Sequence, residues 1–121
     1  MKKLLLILLF GFNSLFAFEN LTAENFDQKV AKGNIVVDFY AVWWSSCKVL
    51  GENLTKYDNT SKNPDIKIYK VDIVEQGSLS KRFNIQGLPA LIYFKNGKKS
   101  KTLYGIKTVK DLKELEKKYF K

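Results

Sequence analysis

The run Ile35-Val36-Val37-Asp38-Phe39-Tyr40-Ala41 constrains this chain more than any other segment. It is β-branched and aromatic almost throughout, with no apolar–polar alternation. Such a stretch reads as a strand covered on both faces, which a sheet flanked by helices provides. Asp38 stands inside it. Burying an ionised carboxylate without a partner is very costly, so this side chain must be held neutral or paired. The alternative, an aspartate at a frayed strand end reaching water, is opposed by the apolar neighbours Val37 and Phe39.

The segments around this run alternate in type. Thr22 can N-cap a helix through Phe26 and Val30, which lie four apart on one face, and Gly33 stops it. After the strand, a helical pattern runs from Cys47 with Leu50, Leu54 and Tyr57 on one stripe. Ile66-Lys67-Ile68-Tyr69-Lys70-Val71 is a second strand, and Gly77 to Ser80 starts a short helix leading to Phe83 and Ile85. Gly87-Leu88-Pro89 precedes a third strand, Ala90 to Phe94. Asn96-Gly97 then signals a hairpin to a fourth strand, about Ser100 to Tyr104. Thr108 to Asp111 resembles a capping box for a last helix with Val109, Leu112, Leu115 and Tyr119 facing inward. Helices between the early strands imply parallel pairing, and the hairpin adds an antiparallel edge.

The N-terminus differs in kind. Met1-Lys2-Lys3, the apolar run Leu4 to Phe12 and the small residue Ala17 form a secretory signal pattern. A membrane anchor needs about 20 apolar residues, and this run stops at Asn13. The expectation is a signal segment at 1–17 and one domain at 18–121, exported to a periplasm-like or otherwise secreted location. The domain carries 19 basic and 12 acidic side chains, a net charge of +7. Lys95, Lys98, Lys99 and Lys101 cluster at one turn, and Lys110, Lys113, Lys117, Lys118 and Lys121 stud the last helix. Such a field can attract acidic partners or anionic lipid head groups, or simply solvate the surface. It has no recognisable nucleic-acid module. Cys47 is the only cysteine, and an odd thiol in an exported protein is intermolecular, reactive or buried.

Several ordered motifs together resemble the thioredoxin family. They are Val37-Asp38-Phe39-Tyr40-Ala41-Val42-Trp43 followed by Cys47-Lys48, then Lys70-Val71-Asp72, Gly87 to Gly97, and Tyr104-Gly105. The resemblance covers about residues 19–120. It implies an α/β, thioredoxin-like fold, with a central mixed sheet of four to five strands flanked by helices. It also implies that Cys47 matches the resolving thiol, that Asp38 exchanges a proton with it, and that Lys70 lies near both. Pro89 matches the family's cis-proline, beside which Leu88 would bind an extended substrate chain. Trp43 matches a flanking tryptophan with a packing role. No cofactor and no metal are implied.

Trp44 departs from the pattern: it stands where the attacking cysteine of a Cys-x-x-Cys pair would be. An indole cannot attack a disulfide, and Ser45 and Ser46 do not replace a thiol. A dithiol cycle within one chain is therefore impossible. Glu52 replaces a helix-kinking proline often found in the family. Near a helix start the Cys47 thiolate gains from the dipole, with Lys48 or Lys70 adding to it, whereas burial would leave it inert. Two functions stay open. One is a single-thiol redox protein forming mixed disulfides with client proteins or small thiols, resolved by an external thiol or a separate redox partner. The other is a non-catalytic binding module, a chaperone or assembly factor, holding extended peptide around Trp43, Trp44, Leu88 and Pro89.

Overall fold

The computed structural model describes residues 18–61 and 63–121; the expected signal segment lies outside them. The strands are β1 (Glu19–Asn20), β2 (Asn34–Tyr40), β3 (Ile66–Asp72), β4 (Ala90–Lys95), β5 (Lys98–Lys99) and β6 (Leu103–Tyr104). The helices are α1 (Phe26–Val30), α2 (Ser45–Ser61), α3 (Gly77–Arg82) and α4 (Val109–Phe120). The six-stranded sheet has the order β1-β3-β2-β4-β5, with β6 also paired to β4. β2 lies parallel to β3 and antiparallel to β4, so the sheet is mixed.

The apolar run forms the central strand, and its side chains divide by parity as a pleated strand requires. Ile35, Val37 and Phe39 enter one core with Phe26, Val30, Leu79 and Phe94, beneath α1 and α3. Val36 enters the other with Leu50, Leu54, Tyr57, Leu91 and Leu112, beneath α2 and α4. Asp38 shares the parity of Val36. It therefore points toward α2 rather than toward the aromatic cluster of Phe26, Phe39, Phe83 and Phe94.

Three local expectations change. Regular helix begins at Phe26 rather than Thr22. Thr22 and Asn25 instead exchange side-chain-to-backbone hydrogen bonds of 2.8 and 3.2 Å, which close the preceding turn. The single fourth strand is two short ones. The register Phe94↔Lys99 becomes Leu91↔Leu103 farther along, which requires one extra residue on the second strand, a β-bulge. There the Ser100 hydroxyl accepts from the Tyr93 N–H at 3.0 Å in place of a ladder partner. β1 is an added edge strand too short to show as a pattern; it pairs in parallel with β3.

In α4 the capping box forms as expected, with Asp111 N–H donating to the Thr108 hydroxyl at 3.0 Å and Thr108 N–H to the Asp111 carboxylate at 2.9 Å. The helix also turns Glu116 and Phe120 inward. Glu116 is tolerated because the Tyr57 hydroxyl donates to it at 2.5 Å.

Candidate functional site

The site forms where β2 ends and α2 begins. Trp44 N–H donates to the Ala41 carbonyl at 3.1 Å, and Cys47 and Lys48 N–H groups both reach the Trp44 carbonyl, at 3.0 and 3.3 Å. This turn makes Cys47 the third residue of α2, lowered onto the sheet. Asp38 and Lys70 are direct register partners on neighbouring strands. Lys70 has the parity of Ile66 and Ile68, so both side chains project to the α2 face.

Cys47, Asp38 and Lys70 thus line one cleft of about 570 Å³, together with Phe18, Tyr40, Lys48, Glu52 and Thr55. Asp38 is 1% exposed, and its Oδ1 has no hydrogen-bond partner among the described residues. Burial pushes its carboxyl up to about 7, against the pull of the Lys70 ammonium. The group therefore changes protonation near neutrality, as a proton acceptor must. Lys70 Nζ lies 4.9 Å from the centre of the Tyr40 ring. The Tyr40 hydroxyl in turn donates to Asn20 at 2.9 Å, which braces the ring from β1. Sequence reasoning did not single out Tyr40 or Asn20. Tyr40 was discoverable, since it lies two residues beyond Asp38 on the same strand face.

Cys47 is buried, with 5% exposure. Its thiol is raised above the ordinary value: desolvation leads, the Ala41 backbone hydrogen bond opposes it, and the nearby Asp38 charge adds to it. The expected gain from the helix dipole is outweighed, because removing a thiolate from water costs more than a partial charge returns.

The remaining predicted residues lie elsewhere. Trp43 does not have the packing role expected of it. It is 65% exposed and Trp44 42%, and the two indoles contact each other at 5.5 Å between ring centres. Neither ring lines the cleft, nor do Leu88 and Pro89. The Leu88–Pro89 peptide bond is cis. Leu88 is half-buried and Pro89 buried, and the Pro89 carbonyl accepts from Gly105 N–H at 3.0 Å. Among the described residues no group of three or more Cys, Asp or Glu side chains is placed to hold a metal ion. No described helix is long and apolar enough to cross a membrane.

A family model described as Thioredoxin matches residues 17–118. Thioredoxin-1 of Saccharomyces cerevisiae is 34% identical over 85 residues, covering 69% of this chain and 81% of that protein. Protein disulfide-isomerase A4 of Rattus norvegicus is 41% identical over 81 residues, covering 64% of this chain but only 13% of that much longer protein. Among solved structures, mitochondrial thioredoxin 3 of Saccharomyces cerevisiae in its oxidised form superposes with a TM-score of 0.76. It is 25% identical, with 85% of this chain and 96% of that one covered. Chloroplastic thioredoxin z gives the same TM-score at 22% identity over 84% and 93% of the two chains, a likeness of fold. With sheet order, active turn and family match in agreement, the chain belongs to the thioredoxin family.

Proposed function

We propose that this protein takes part in thiol–disulfide chemistry as a single-thiol member of its family, exported from the cell, and does not turn over alone. One observation carries the reading: Cys47, Asp38 and Lys70 share a single cleft, with the buried carboxyl on the sheet face beneath the thiol's helix. Asp38 takes the Cys47 proton. The thiolate attacks a disulfide sulfur of a client, a Cys47–client S–S bond forms, and the client's other sulfur leaves as a thiolate that accepts the proton. An external thiol reverses the capture, because position 44 holds an indole. Burial and the raised thiol make this capture slow.

The test uses an aromatic disulfide whose released thiol absorbs light. Native protein is expected to release one equivalent per chain, more slowly than unfolded protein, with a matching mass gain at Cys47. Sustained reduction of a protein disulfide by dithiothreitol, beyond the uncatalysed rate, would refute the single-thiol reading. So would a native thiol that never reacts. The exposed indole pair Trp43 and Trp44 supports a second reading, in which the face beside Pro89 holds extended peptide without redox chemistry. Peptide binding unchanged in Cys47→Ala favours that reading.

A further inference from the structure

The charge of this domain is confined to one part of it. Residues 18–94 carry nine basic and nine acidic side chains, whereas residues 95–121 carry ten lysines and three acidic residues. The whole net charge of +7 therefore resides in the β4–β5 hairpin, β6 and α4. Two of the three acids there are already engaged. Asp111 closes the capping box, and Glu116 is buried against Tyr57. Glu114 alone is left to oppose the lysines, and Lys121–Glu116 is this segment's only ion pair among the described residues.

The fold brings several of these lysines together. Lys95 shares its strand face with Tyr93, and its register partner Lys98 projects to the same side. Tyr93 packs against Tyr119 and Phe120 at 5.0 and 5.3 Å between ring centres, so the last turn of α4 covers that face. Lys95 and Lys98 thus adjoin the end of α4. Along α4, Lys110, Lys113, Lys117 and Lys121 follow three- and four-residue spacing, which makes one ridge. Like charges directly opposite on paired strands are destabilising, yet Lys95 faces Lys98.

We propose that this lysine field is a docking surface for anionic phospholipid membranes. The lack of arginine in residues 95–121 favours lipid over an acidic protein. Arginine's planar fork recognises carboxylates in fixed geometry, and lysine is depleted from protein interface cores. Lysine is instead a compact point charge, suited to a fluid layer of headgroups whose positions adjust. Exposed Ile106, beside Lys107 and Lys118, adds apolar contact at the headgroup level. The inference does not depend on the chemistry of Cys47.

The test measures co-sedimentation of the domain starting at Phe18, which contains every described element of the fold, with two kinds of vesicle. One is equal parts phosphatidylglycerol and phosphatidylcholine, the other phosphatidylcholine alone. Binding to the anionic vesicles only, reversed by high salt, is expected. Each lysine near such a surface contributes about fivefold, so Lys95→Gln, Lys98→Gln and Lys117→Gln together should weaken binding about a hundredfold. Lys32→Gln, Lys67→Gln and Lys81→Gln, with the same change in net charge, should preserve most of it. Equal loss from both triple variants, or no preference for anionic vesicles at low salt, overturns the proposal. Polyglutamate binding as tightly as the vesicles would overturn it in favour of an acidic protein partner.

Discussion

Replacing Asp38 by Asn should make this protein more stable in alkaline solution, by an amount that depends on pH in a defined way. The carboxyl titrates near 3.8 when the chain is unfolded and near 7 when it is folded. At one pKa unit per 1.36 kcal/mol, the folded protein above neutrality carries about 4 kcal/mol of ionisation cost at this one residue. The folded pKa is the higher one, so between those two values the unfolded chain holds fewer protons than the native one. Stability from this group is fully present below the unfolded value, falls by up to about 1.4 kcal/mol per pH unit across the window, and levels off above the folded value. Asn keeps the volume and removes the titration. Its amide meets the same unpartnered surroundings as Oδ1, a roughly constant offset of about 1–2 kcal/mol. Urea unfolding followed by far-UV circular dichroism measures the difference between variant and parent. That difference should shift in the variant's favour by about 4 kcal/mol between pH 4 and pH 9, most of it below pH 7. With an m-value of about 1–2 kcal/mol per M, the relative midpoint should move by roughly 2–4 M. A difference that stays flat with pH would show that Asp38 is not the buried, proton-holding group described, and the proton-acceptor role would fall with it.

The other perturbations test the surroundings of the same carboxyl and the opposite end of α2. Lys70→Met removes the positive charge that holds the Asp38 carboxyl down. The pH midpoint of the stability loss should therefore rise above that of the parent, and an unchanged or lower midpoint would contradict the pairing. Tyr57→Phe deletes the hydroxyl that donates to Glu116 and leaves a largely buried carboxylate under-partnered, so it should cost about 1–3 kcal/mol in urea unfolding. Adding Glu116→Leu to that variant should recover part of the loss, because no charge then remains to be satisfied.

The central strand, the helix stripes, the capping box and the absent thiol at position 44 were all readable along the chain. Each rests on contacts within a few residues: periodicity fixes which side chains share a face, and turn or cap chemistry depends on near neighbours. That Asp38 must be neutral or paired also followed from one segment, since an apolar strand allows nothing else. The split of the fourth strand was not readable, because a bulge is defined only by the register against β4. Nothing in its local sequence marks Glu116, on a lysine-rich helix, as buried. Its inward place depends on Tyr57, which lies 59 residues earlier in the chain. The fate of Cys47 was open for a related reason. A helix start favours the thiolate, burial opposes it, and only the way α2 settles onto the sheet weighs one against the other. Composition gave the excess of lysine over acid, whereas strand register and the packing of Tyr93 on α4 set Lys95 and Lys98 beside the end of that helix. Local order in this protein is written in the sequence because it is enforced at short range. The proton affinity of Asp38, the shielding of Cys47 and the shape of its charge were decided by the tertiary structure, since desolvation and Coulomb interaction depend on which distant residues are brought close.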